Sequence, residues 1–315
     1  TSPTLFKWDK NKEKEYLSSI KNNLNIRGLE LPFLGKLHME DEEFFLSLLE
    51  PKWEYVLTCL PGTMKALETN SHFGIASDNE QGRLEAIEFY KNANQVVKKL
   101  NEYFGGEKVI NVVLASAPSL KAVDVKSSSN SLKKSLSEIA SWNWFGAKLV
   151  IEHCDSGREK NPVKGFLSLD EEIKAILDVN KELNHPIGLT INWARSAIEK
   201  RNKIGPIEHV RKAYENNILQ GVMFSGTSPK SELYGNWRDL HLPIAKEDDI
   251  EYFEKDSLMN FKNIKDTLKE CDIDKLSYIG VKVLAMPIED SSIEKRIGIN
   301  RDTLKVLNKI IKEMK

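Results

Sequence analysis

The sequence predicts an α/β fold, a (β/α)8 TIM barrel running through residues 1–315 as a single domain, with the first strand expected before Thr1. Three observations carry this. Seven short apolar runs, β-rich and too brief for helices, alternate with stretches patterned at helical spacing. The runs are nearly continuous, as in parallel strands covered on both faces. No G-x-G-x-x-G follows any of them, which disfavours a doubly wound dinucleotide-binding sheet. Strands separated by helices imply parallel pairing through right-handed crossovers, and seven of them behind an opening helix leave a barrel one strand short.

In chain order, a lysine-rich helix is expected over 9–23 and a strand over 26–33, ended by Pro32. Residues 39–49 open acidic, as suits a helix N-terminus, and carry Phe44, Phe45, Leu48 and Leu49 at helical spacing. A strand at 54–60 stops at Pro61-Gly62, and 63–81 reads as a loop. A long helix over 82–104 closes on Gly105-Gly106. Then follow a strand at 109–115, a helix running to Trp142, and a strand at 148–154. Helices at 170–183 and 207–216 precede strands at 187–192 and 221–224. A lid-like insertion spans about 225–256, followed by a helix at 257–271, a strand at 278–284 and a closing helix at 303–314.

Composition narrows the function classes. Lys and Arg total 46 against 47 Asp and Glu, so a net charge of -1 gives no reason to expect nucleic acid or an anionic membrane. Three cysteines without C-x-x-C spacing argue against a disulfide scaffold or zinc knuckle and suit a reducing cytoplasm. No run has the length of a membrane span, and no signal-peptide h-region opens the chain. The partner expected is a small molecule, with a homodimer left open.

Chemistry in a barrel gathers at the C-terminal ends of its strands. Those ends supply Glu30, Ser116, Glu152 with Asp155, Asn192 with Arg195, Ser225, and Lys282. Alternation along a strand puts Glu152 on the face of Val150 and turns His153 toward the helices, where it reads as a core histidine. Lys282 opposite Glu152 allows two readings: a buried ion pair, or a base with a cation that stabilises an enolate oxygen or holds an anionic substituent together with Arg195. The insertion adds Tyr234, Trp237, Arg238, Asp239 and His241, aromatic and polar groups suited to a hydroxylated ring. Asp239 and His241 could also join Glu152 around a metal. Arg83, near a helix start, could hold phosphate.

The strand GLELP at 28–32, the strand ending in Glu152 and the final strand at Tyr278-Ile279-Gly280 resemble the xylose-isomerase-like TIM barrels, the sugar isomerases and sugar-phosphate epimerases. The strings LPGTM (60–64), SAP (116–118), IEHCD (151–155), KGFL (164–167), INWARS (191–196), MFSG (223–226) and YGNW (234–237) resemble, more closely, a bacterial family within that group catalogued as a domain of unknown function.

The resemblance implies a divalent metal, Mn or Mg, held by Glu, Asp, His and Glu at four strand ends. Here Glu152 keeps the first position, Asn192 takes the Asp position, Met223 and Ser225 lie at the His position, and Lys282 replaces the last Glu. An ammonium and an amide are poor company for a dication, so no metal is expected there. The expected activity is isomerisation or epimerisation of a carbohydrate or sugar phosphate by proton transfer next to a carbonyl, with Glu152, Asn192 and Lys282 catalytic. The alternatives are a Schiff-base aldolase or lyase using Lys282, a non-catalytic sugar-binding barrel, and a glycosidase using Glu30 and Glu152.

Overall fold

A computed structural model describes residues 7–315. All seven expected strands form: β1 Gly28–Pro32, β2 Glu54–Thr58, β3 Val109–Leu114, β4 Lys148–His153, β5 Gly188–Asn192, β6 Leu219–Phe224 and β7 Tyr278–Val281. They make one parallel sheet in the order β1-β2-β3-β4-β5-β6-β7. The sheet curls until its edges meet. The Arg27 guanidinium donates to the carbonyl of Ser277 just before β7, and Lys282 just after β7 reaches Glu30 on β1. The strand expected before Thr1 falls outside the described residues.

Ten helices cover the outside, among the described residues: α1 Lys10–Asn23, α2 Glu42–Leu48, α3 Leu60–Leu67, α4 Glu80–Phe104, α5 Ser129–Ala140, α6 Leu169–Asn180, α7 Trp193–Lys200, α8 Gly205–Glu215, α9 Phe261–Leu268 and α10 Ile293–Met314. Local signals set their ends. Ser168 and Glu171 close a capping box on α6, Asn192 caps α7, and Gly105 ends α4 in the left-handed region at φ 69°.

Three helices differ from the sequence expectation. Pro61-Gly62, expected to stop a strand into a loop, instead opens α3, because proline at a first helical position loses no hydrogen bond. The short α7 follows β5 directly, hidden behind the strand's own apolar run. The closing helix starts ten residues earlier than expected, at Ile293, capped by Ser292. None of the helices is long and apolar enough to cross a membrane.

Among the described residues the buried apolar side chains form three clusters, the smallest around Leu60, Ala115, Ala117, Cys154 and Phe166 near the strand ends. Outward-facing strand residues such as Val112, Leu114, Ile151, Leu189 and Ile191 pack under the helices in the main cluster. Inward-facing Val56, Val113, Val150, Met223 and Tyr278 form a separate cluster that fills the barrel interior. Residues two positions beyond Val150 and four beyond Tyr278 on the same face, Glu152 and Lys282, therefore stand over this apolar floor.

A charged ring at the barrel mouth

Over the floor the strand ends carry a ring of paired charges. Arg195, in the first turn of α7, places Nη1 2.8 Å from Glu152 Oε2 and Nε 3.1 Å from Asp239 Oδ2. Lys164, from the loop after β4, lies 2.6 Å from the same Asp239 oxygen. Asn192 donates its amide to Glu152 Oε1 at 3.0 Å and accepts on Oδ1 from Ser225 Oγ at 2.8 Å. Lys282 pairs with Glu30 at 2.7 Å. Of the two readings of Lys282 and Glu152, the ion pair between them does not form: Glu152 pairs with Arg195 and Lys282 with Glu30.

Burial divides the ring into a sealed half and a reachable one. Glu152, Arg195 and Asp239 side chains are 2–3 % exposed, whereas Lys282 and His241 are each 21 % and Glu30 15 % exposed. His241 Nδ1 lies 3.4 Å from Asp239 Oδ1, and neither atom has a hydrogen-bond partner. Its backbone sits at φ 51°, an unusual conformation for histidine, with Leu284 donating its N–H to the His241 carbonyl.

Electrostatics follow the same division. Burial would raise the Glu152 pKa, but the charges of Arg195 and Lys282 and the Asn192 hydrogen bond hold it at about 2. Asp239 is likewise held low, by Arg195 and Lys164 against burial. Burial, opposed by Lys282 and reinforced by the charge of Glu152, raises the Glu30 pKa. Burial would lower the Lys282 pKa, and Glu30 and Glu152 outweigh it and raise it. His241 is pushed down to about 3 by burial and by the cations around it, against the pull of Asp239, so its ring is neutral near pH 7.

The remaining expected residues fall elsewhere. Ser116 does not face the ring; its hydroxyl donates to Glu172 in the layer between β3 and the helices. Asp155 is spent on its own loop, accepting from the backbone N–H groups of Val163 and Lys164. In doing so it helps hold Lys164 toward Asp239. Tyr234 is buried and donates its hydroxyl to the Leu284 carbonyl at 2.8 Å, an anchor for the insertion rather than a stacking platform. Trp237 lies under the guanidinium of Arg201, 5.6 Å from the ring centre. Arg83 is buried and paired with Glu80, which corrects the phosphate reading.

The ring does not fit the divalent cation that the resemblance implies. Asn192 turns an N–H, not a lone pair, toward Glu152, its carbonyl oxygen is already taken, and Lys282 brings a proton-bearing cation. Lys164 was missed in the sequence. Its signal was its place in the loop following β4, among the strings that carry the resemblance.

A second polar cluster lies outside the barrel wall. His153, on the helix side of β4 as alternation predicts, sits between Glu172 of α6 at 2.7 Å and Glu199 of α7 at 3.1 Å. Glu199 also accepts from Ser156 N and faces His209 of α8. Composition gave no warning of this cluster, since its glutamates occupy ordinary helix positions.

Comparison with known proteins agrees with this fold. The family described as "Domain of unknown function (DUF4862)" matches residues 1–299. The uncharacterized protein STM3670 of Salmonella typhimurium (strain LT2) is 34% identical over 308 residues, covering 98% of this chain and 94% of that one. Among solved structures, a D-psicose 3-epimerase determined in the presence of D-fructose superposes with a TM-score of 0.59 at 12% identity, covering 98% of this chain and 97% of its own. A D-allulose 3-epimerase from Methylomonas sp. gives 0.55 at 13%, covering 98% and 92%. IolI protein with a binding zinc atom gives 0.53 at 15%, covering 90% and 99%. At such identities the likeness establishes the fold, a xylose-isomerase-like TIM barrel.

Proposed function

The chain belongs to the family described as "Domain of unknown function (DUF4862)", and from that membership, the barrel and its charged mouth we propose a carbohydrate or sugar-phosphate isomerase or epimerase that moves a proton next to a carbonyl. The observation that carries the reading is the Lys282–Glu30 pair, reachable at the mouth with the neutral His241 nearby. Glu152, expected to be the base, is the wrong carboxylate for that role: a group held at about 2 is a weak base. Glu30, with its raised pKa, is a stronger one.

In this reading Glu30 takes the proton from carbon. Lys282 donates to the oxygen on which enolate charge develops, and the Glu152–Arg195–Asp239 chain, ionised near pH 7, fixes the field beneath it. Protonated Glu30 then returns that proton to the neighbouring carbon, while the neutral His241 ring donates a hydrogen bond to a substrate oxygen. The Schiff-base alternative is disfavoured because Lys282 is held protonated, away from the free amine that attacks a carbonyl.

The test is a thermal-shift panel of aldoses, ketoses, sugar acids and their phosphates without added metal, followed by NMR of any stabilising sugar incubated with the protein. Appearance of an isomer or epimer supports the reading. A ligand that binds tightly but never converts would instead support a sugar-binding barrel.

A further inference from the structure

We propose that His153, Glu199 and His209 form a site for one divalent cation of the zinc type, in the layer between β4 and helices α6 to α8, separate from the barrel mouth. One ligand atom from each of the three lies within 4.8 Å of the others, and all three residues are buried. Tetrahedral zinc with bonds near 2.0–2.1 Å needs its ligand atoms about 3.3 Å apart. His153 Nε2 stands 3.1 Å from one Glu199 oxygen, Oε2, and His209 Nε2 3.5 Å from the other, Oε1, so the carboxylate lies between the two rings with an oxygen near each.

The outer atoms of both rings point to a ligand role. His153 Nδ1–H has Glu172 at 2.7 Å, and Glu172 itself accepts from the Ser116 hydroxyl. His209 Nδ1 has Ser196 Oγ at 2.9 Å. In the metal-bound form each Nδ1–H is engaged by these partners, and the two Nε2 atoms, both turned toward the Glu199 carboxylate, are the ligating atoms. A carboxylate behind a ligating imidazole is the arrangement that fixes tautomer and raises ligand basicity at zinc centres.

Other charges at the cluster set the competition. In the metal-free protein Glu199 is matched by the facing His153 ring and by the Lys200 ammonium 3.1 Å from its Oε1. Lys200 is one-third exposed and already pairs with Glu159 at 2.8 Å, so it can withdraw to that partner. Binding therefore displaces Lys200 from Glu199, and the dication takes its place against the carboxylate. A metal here would tie α7, which carries Arg195, and the Ser156 turn to β4, which carries Glu152.

The experiment is metal analysis of the full chain purified without chelator, then cobalt(II) titration of chelator-treated protein followed by its visible ligand-field spectrum. We expect about one metal per chain and a tetrahedral cobalt spectrum with nitrogen and oxygen ligands. His209→Ala should abolish stoichiometric binding, and Glu172→Gln should weaken it about 10–100-fold. Wild-type protein that carries no metal and gives no cobalt spectrum overturns the proposal, whether or not the variants fold. So does metal retained by a folded His209→Ala, or lost from Glu152→Gln instead.

Discussion

Replacing Arg195 with methionine removes the cation shared by two buried carboxylates. Asp239 keeps Lys164 at 2.6 Å, but Glu152 is left with the Asn192 amide at 3.0 Å and the more distant charge of Lys282. Stripping one partner from a buried ion pair typically costs about 3–5 kcal/mol, because the other charge stays buried and unpaired. The Glu152 and Arg195 side chains are each 2 % exposed, so little of this is screened away.

The sign of the pH dependence follows from Glu152. In the wild type its folded pKa is depressed from 4.5 to about 2, so its contribution is present above 4.5 and lost as pH falls toward 2. In the variant burial is offset only by Asn192 and the charge of Lys282, so the pKa moves up and acid relieves the strain. Urea unfolding should show a deficit largest near ~pH 8 that shrinks toward ~pH 5. A loss below about 1 kcal/mol, the range of an exposed pair, or a deficit that grows on acidification, would refute the reasoning.

Three further outcomes are expected. Lys282→Met should leave the fold intact and lower turnover about 10²–10³-fold, as removal of an oxyanion donor does, and a change confined to KM would contradict its role. In metal-free protein, burial lowers the His153 pKa but Glu172 and Glu199 override it and raise it from 6.5 to about 10. Its stabilisation is thus complete below pH 6.5 and is lost as pH rises toward about 10; His153→Gln should flatten that decline in urea midpoints, and a wild type already flat across the window would show an uncharged ring. Tyr234→Phe should cost about 1 kcal/mol and speed proteolytic nicking of the 225–256 insertion, whereas unchanged stability and nicking would mean the Leu284 contact holds nothing.

The fold was legible because strands buried on both faces leave a plain signature: Val112 to Leu114 and Leu149 to Ile151 are apolar without interruption, and each expected run became a strand. The alternation that set Glu152 over the floor and His153 under the helices was equally readable. Pairing was not. Lys282 meets Glu30 because a curled sheet brings its first and last strands together, a relation no local pattern encodes. Asp155 and Tyr234 looked like ligand contacts, yet Asp155 is consumed by backbone N–H groups of its own loop and Tyr234 by the Leu284 carbonyl just beyond β7, since buried carbonyls and N–H groups must find partners. Lys164 entered the ring only through the loop that Asp155 shapes, and Glu199 entered the outer cluster only through the packing of α7 on α8.

The most direct test of the mouth as a proton-transfer site is deuterium incorporation from D2O at the carbon next to the carbonyl of the sugar that stabilises the protein, followed by NMR for wild type, Glu30→Gln and Glu152→Gln. The account predicts exchange in the wild type, none with Glu30→Gln, and exchange retained, though slowed, with Glu152→Gln. Exchange that survives loss of Glu30 and vanishes with loss of Glu152 would contradict it.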